Sequence, residues 1–148
     1  MHLEVKEVPI EEAVKVNATI TEFIEAGKPY PQTYFTQRYE GKKHLILVAY
    51  VDQEPAGYVV SYQRYEEDAF YCWMAGVDPQ HRKKGVLKAM MDYQETWARQ
   101  NNYKKIKIKT RNNIKAMLHY LVKYDFKFTE VIKKGHKEDW RIFAEKEL

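Results

Sequence analysis

Residues 73–91, WMAGVDPQHRKKGVLKAMM, constrain the fold more than any other stretch of this chain. An apolar strand pattern ends at Asp78 and Pro79, a basic turn follows, and an amphipathic helix pattern starts at once. A helix start leaves backbone N–H groups unpaired, and the aligned peptide dipoles place partial positive charge there. Arg82, Lys83 and Lys84 add full charges to the same spot, and Gly85 lets the main chain approach a bulky anion without an intervening side chain. The backbone from Arg82 through Val86 and Leu87 is therefore a candidate seat for a diphosphate.

The rest of the chain alternates between two periodicities. Residues 2–8 alternate like a strand. Ala13, Val16, Ile20, Phe23 and Ile24 then recur at helical spacing, which predicts a helix running to Gly27. Two prolines and the aromatics Tyr30, Tyr34, Phe35 and Tyr39 predict a short second helix over residues 28–41. Residues 44–51 form a continuous apolar run, 52–56 a turn and 57–65 a β-rich run, which together make a hairpin, and 68–77 add a third strand. Val86, Met90, Tyr93 and Trp97 share one helical face, widened by Leu87, Met91 and Ala98. In residues 104–110, KKIKIKT, Ile106 and Ile108 face a core and the lysines face water. A helix over 113–124, with Ala116, Met117, Tyr120 and Leu121 inward, and strands near 126–134 and 139–147 complete the order βααβββαβαββ. That order predicts an α/β (α+β) fold: one mixed, mostly antiparallel sheet with helices on both faces, forming a single domain over 1–148.

Composition narrows the setting. With 148 residues and 45% apolar content the chain can bury a sizeable core, and no tract is apolar enough to span a bilayer, so no membrane partner is expected. The N-terminus lacks the features of a secretory signal, and the single Cys72 cannot form an internal disulfide, which points to a cytoplasmic protein. Cys72 sits in an apolar strand and is expected to be a buried thiol without a chemical role. Charge is divided: residues 1–80 hold 7 Lys+Arg against 13 Asp+Glu, and residues 81–148 hold 18 against 8. If the halves separate in space, a polyanion is drawn to the second and a cation to the first.

Three segments carry a resemblance to a known family, the weakest being the hairpin turn at Asp52 to Gly57, which many sheets share. Val77-Asp78-Pro79-Gln80-His81-Arg82-Lys83-Lys84-Gly85-Val86-Leu87 is similar to the acyl-CoA signature V-x-P-x-x-R-x-x-G-x-G/A of the GCN5-related N-acetyltransferases (GNAT). Asn113-Ile114-Lys115-Ala116-Met117-Leu118, followed by Tyr120 and Phe126, resembles that family's N-x-x-A/M helix. Leu87 replaces the usual Gly or Ala near the phosphates. Asp125 replaces the Gly that ends the second motif, a mild change because Asp tolerates the left-handed conformation.

The resemblance implies an acyl-CoA N-acyltransferase-like fold and transfer of acetyl from acetyl-CoA, a co-substrate, to a primary amine within a ternary complex. It implies that Arg82, Lys83, Lys84, Gly85, Val86 and Leu87 hold the diphosphate. It further implies that the pantetheine arm lies along Ala75 and Val77 with Asn113 opposite, and that Tyr120 protonates the departing thiolate. Tyr120 also lies on the apolar face of its helix, where core packing is the competing role. Glu66, Glu67 and Asp68 are the carboxylates nearest the expected acceptor side, yet turn residues of this kind are mostly solvated, and the general base stays open. His81 and His136 are expected at the surface, and no cluster has metal-ligand spacing, so no metal is expected. The acceptor is a small-molecule or peptide amine. Aromatics at 30, 34, 35 and 39 are expected to line its pocket, and the acidic first half suits a cation. A homodimer is compatible with the sequence. Two rivals remain: a noncatalytic acyl-CoA sensor, and a basic nucleic-acid-binding module built on Tyr103 and the lysines that follow it, which lacks any accompanying motif.

Overall fold

The computed structural model describes residues 1–20 and 28–148. Its strands are β1 (Leu3–Glu7), β2 (His44–Val51), β3 (Glu54–Tyr62), β4 (Ala69–Val77), β5 (Lys105–Arg111), β6 (Lys127–Ile132) and β7 (Arg141–Glu147). They form one sheet in the order β1-β2-β3-β4-β5-β7-β6. The helices among the described residues are α1 (Ile10–Asn17), α2 (Gln32–Tyr39), α3 (Val86–Gln100) and α4 (Lys115–Lys123). None of them is long and apolar enough to cross a membrane.

Strand β2 shows why a continuous apolar run was required at the centre of the sheet. Leu45, Leu47, Ala49 and Val51 join the core beneath α3 and α4, whereas Ile46 and Val48 join the core beneath α1 and α2. The hairpin after it turns on Asp52 and Gln53, at φ 49° and 72°, the positive values that match the twist of a two-residue hairpin. The turn is thus shorter than the five residues expected from DQEPA. Pro55, with no N–H for the ladder, pairs with Tyr50 where the register slips.

Gly57 locks α3 to the sheet. A Cβ there would lie 2.8 Å from both Met90 Cε and Val86 Cγ1 and 3.0 Å from the Gly76 carbonyl oxygen. Only glycine lets the start of α3 settle this closely onto β3.

Four expectations are corrected. Helix α1 stops at Asn17, with the Ala18 N–H donating to the Val14 carbonyl. Ile20 is buried beyond that end, and Phe23 and Ile24 lie outside the described residues. Helix α4 begins at Lys115 rather than Asn113, and its Ala116 is exposed. On α3 the polar Gln94 and Glu95 are buried while Tyr93 and Trp97 are only half-buried. Glu95 meets Lys146 Nζ of β7 at 2.9 Å. Finally, His81 is buried against Glu54, at 3.4 Å, and is not a surface residue, whereas His136 is exposed.

Candidate active site

All neighbouring strands run antiparallel except β4 and β5. These pair in parallel only from Ala69 opposite Lys105 to Cys72 opposite Ile108, although β4 continues to Val77 and β5 to Arg111. Beyond Cys72 the two strands are unpaired, and the sheet opens into a wedge. A β-bulge marks the point of parting: Val60 faces Met74 and Ser61 faces Cys72, so Trp73 is the extra residue. Bulges end pairing and re-aim side chains, which is why they recur beside active sites. Residues 73–77 are half-buried, so their main chain on the β5 side is available to a guest strand.

The basic turn follows directly. Asp78 donates its N–H to the Ala56 carbonyl at 2.8 Å and accepts the Gln80 N–H on Oδ1 at 2.9 Å, which fixes a short 3₁₀ turn at Pro79–His81. Partial burial would raise the Asp78 carboxyl, but its polar neighbours, the Gln80 N–H on Oδ1 and the nearby Thr19 hydroxyl, outweigh it and hold the group below the usual carboxylate range. Arg82, Lys83 and Lys84 are exposed. Lys83 adopts φ 63°, a left-handed conformation that costs a non-glycine residue about 1 kcal/mol. Gly85 caps α3 at φ 78° with open space around its missing Cβ and no side-chain cap. The first intrahelical bond from this turn is Ala89 N–H to Gly85 carbonyl at 3.0 Å, so the preceding N–H groups have no helical acceptor. Val86 is buried and Leu87 is half-buried against the core. The leucine therefore serves packing where the signature has Gly or Ala.

Tyr120 lies on α4 at the edge of the core shared with α3 and β4, its ring 4.6 Å from that of Tyr124. Its hydroxyl is buried and, among the described residues, has no hydrogen-bond partner. Such orphans are rare and cost about 1–3 kcal/mol each. Burial, and then the Glu95 and Asp92 carboxylates, push the phenol well above its ordinary value. Asn113 is exposed in the turn before α4, its carbonyl accepting the Lys115 N–H at 3.1 Å. Asp125 closes α4 at φ 69°, the left-handed conformation for which glycine is usual.

Other candidates lose ground. Cys72 is buried, and burial pushes its thiol up to about 11, an inert core group. Glu66 meets Lys107 Nζ at 2.7 Å, and that bond holds its carboxyl below the usual range, which makes it a poor base. Phe35 and Tyr39 are buried in the core under α1 and α2 and do not line a pocket, whereas Tyr30 and Tyr34 are half-buried and stacked at 4.2 Å. The basic segment after α3 is engaged within the fold: Tyr103 is buried with its hydroxyl on Gln63 at 2.7 Å, and Lys105 and Lys107 face Glu145 and Glu66. Among the described residues no group of His, Cys, Asp and Glu is placed to hold a metal ion.

Two features went unread in the sequence: the bulge at Trp73, which only the β3–β4 register reveals, and the cations around Lys109, which come from four separate segments.

Solved structures share this fold at low identity. An Ard1 protein from Thermoplasma volcanium aligns at TM-score 0.79 with 17% identity over 99% of this chain and 97% of its own. The ribosomal-protein-S18-alanine N-acetyltransferase from Escherichia coli aligns at TM-score 0.78 with 11% identity over 99% and 94%. The protein yncA from Salmonella typhimurium, solved with its cofactor acetyl-CoA, aligns at TM-score 0.77 with 12% identity over 98% and 93%. No curated protein matches the chain in sequence. The family model described as the acetyltransferase (GNAT) family matches residues 16–126, well over half of the length, and the chain belongs to that family.

Proposed function

We propose that this protein transfers an acetyl group from acetyl-CoA to a primary amine by direct transfer in a ternary complex. The hydroxyl of Tyr120 carries the reading, because a buried phenol with no partner among the described residues is explained by a partner that arrives with the substrate. Acetyl-CoA supplies the activated thioester. The seat at Arg82, Lys83, Lys84, Gly85, Val86 and Leu87 fits its diphosphate: unpaired N–H groups, three cations and no Cβ at residue 85 converge there. The main chain at Ala75 and Val77, which has no β5 partner in the wedge and whose Val77 carbonyl accepts Arg82 Nε at 3.4 Å, would bond the pantetheine amides, and Asn113 would close over them from the start of α4.

The neutral nitrogen of the acceptor then forms the new C–N bond as the C–S bond breaks. The amine's extra proton leaves to solvent or to an acceptor group, and the sulfur departs as a thiolate. A thiol of reference pKa about 8.5 is a stronger acid than the Tyr120 phenol. Tyr120 therefore acts chiefly by donating a hydrogen bond to the departing sulfur, and its raised pKa keeps that proton in place across the physiological range.

The test is steady-state kinetics on the Arg82→Ala/Lys84→Ala double variant. We expect the KM for acetyl-CoA to rise by at least tenfold with an unchanged circular-dichroism melting curve; unchanged donor kinetics would sink the seat.

A further inference from the structure

Among the described residues, helices cover the face of the sheet opposite α3 and α4 over part of its width. Helix α1 packs on β2 and β3, and α2 packs beside α1, with Phe35 against Trp73. On this face β5 and β7 carry half-buried polar side chains. Register shows which residues share it: Tyr71 lies beside Lys107, Lys109 beside Phe143, and Arg111 beside Arg141.

Five cations meet here. Arg38 comes from α2 and stands 5.0 Å from the Trp73 ring centre; Arg64 follows β3 and stands 5.5 Å from that of Tyr71. Lys109 lies over Phe143 at 5.8 Å. Arg111 and Arg141 are direct cross-strand partners, an arrangement that costs stability because like charges face one another. Lys109 senses the rest: burial, and then the charges of Arg64, Arg141, Arg38 and Arg111, lower its ammonium from the ordinary lysine range.

Among the described residues none of the five forms an ion pair. Glu66 and Glu145 are engaged by the outer lysines, Lys107 at 2.7 Å and Lys105 at 3.8 Å, and Arg141 Nη1 donates to the main-chain carbonyl of Asp139. Positive charge gathered on half-buried Arg38, Lys109 and Arg141 and on exposed Arg64 and Arg111, three of the five over aromatic rings and none in an ion pair among the described residues, is the arrangement of an anion site. It sits beside Trp73, the bulge residue at the mouth of the β4–β5 wedge.

We propose that the acceptor is an anionic amine, a small molecule whose carboxylate, phosphate or sulfonate lies among Arg38, Arg64, Lys109, Arg111 and Arg141 while its carbon skeleton rests on Trp73 and Tyr71. The proposal rests on the acetyl-transfer reading and replaces the expectation of a cationic acceptor. That expectation treated the acidic first half and the basic second half as separate ends. The fold instead brings Arg38 and Arg64 from the first half onto Lys109, Arg111 and Arg141 from the second.

The experiment is a thiol-release assay with amine pairs that differ in one anionic group: ethanolamine against O-phosphoethanolamine, propylamine against β-alanine, phenethylamine against phenylalanine, with putrescine as the cationic member. We expect kcat/KM at least tenfold higher for an anionic member than for its neutral partner. Arg64→Gln and Lys109→Met, tested separately, should each raise the KM for that acceptor about tenfold while the KM for acetyl-CoA stays fixed. Equal or better turnover of the neutral amines or putrescine would overturn the anion site and leave acetyl transfer standing. Calorimetric titration of the same amines into protein saturated with coenzyme A supplies the second readout. Binding of the anionic members without transfer would keep the site and overturn the transfer reading. If acetyl-CoA binds but no amine either binds or reacts, both fall.

Discussion

The two faces of the sheet are built on different principles. Beneath α3 and α4 the contacts are apolar and close, with Ile106, Ile108, Met90, Met91 and Leu121 buried together. Helix and strand periodicity announce every one of these residues. On the other face, beyond the cover of α1 and α2, β5 and β7 place Lys109, Arg111 and Arg141 beside Arg38 and Arg64, which stand over the β4 rings of Trp73 and Tyr71. The first face resembles any well-packed core, in which each side chain already has its partners. The second has cations that form no ion pair among the described residues, and that incompleteness separates a binding surface from a core.

Tyr120 breaks the symmetry of that contrast, since it is an unsatisfied polar group within the satisfied face. Its replacement by phenylalanine is the largest effect we expect: kcat falls about tenfold to a hundredfold, the worth of a hydrogen bond to a charged group, with acetyl-CoA affinity unchanged. Stability should hold or rise by up to about 1 kcal/mol, because no bond within the protein is lost. A marked drop in unfolding free energy, measured in urea, would show that the hydroxyl has a structural partner and would return Tyr120 to the core.

A second variant tests how closely the packed face is fitted. Gly57→Ala inserts a methyl group against Val86, Met90 and the Gly76 carbonyl, and should cost about 1–3 kcal/mol. Because Val86 opens α3, the donor seat should shift with it. Calorimetry with acetyl-CoA should therefore report weaker binding, and full retention of both stability and affinity would mean that α3 sits less tightly than described.

The smallest effect concerns the turn between β4 and α3. Asp78 donates to the Ala56 carbonyl of β3 and accepts the Gln80 N–H within that turn. Asp78→Ala should cost about 1 kcal/mol at neutral pH, the usual worth of such a cap. The carboxyl is held below the ordinary range in the folded state. Its contribution is therefore complete above the unfolded pKa of about 4 and is lost as pH falls through the lower folded value. Urea titrations of wild type and variant should converge on acidification; a gap that persisted at the lowest accessible pH would show that charge is not what Asp78 supplies.

Legibility in the sequence followed the range of the interactions involved. The strands of the central meander, the helix starting at Val86 and the alternation of β5 were all readable, because local periodicity responds directly to which side faces a core. Asp125 in the left-handed conformation was also foreseeable, since the constraint acts on a single residue. The burial of Gln94 and Glu95 was not, because it depends on Ser61, whose hydroxyl meets Gln94, and on Lys146, which meets Glu95, at distant points in the chain. His81 was misplaced for the same reason, its cover coming from Glu54.

By itself the chain determined its secondary-structure order, its mixed sheet and a basic, glycine-capped turn between β4 and α3, since each depends on residues adjacent in sequence. Tertiary structure alone decided where β4 and β5 part, that the Tyr120 hydroxyl is left unpaired, and that five cations from the acidic and basic halves converge beside Trp73. Those outcomes depend on register and packing between segments far apart in the chain, and neither composition nor periodicity encodes which of them will meet.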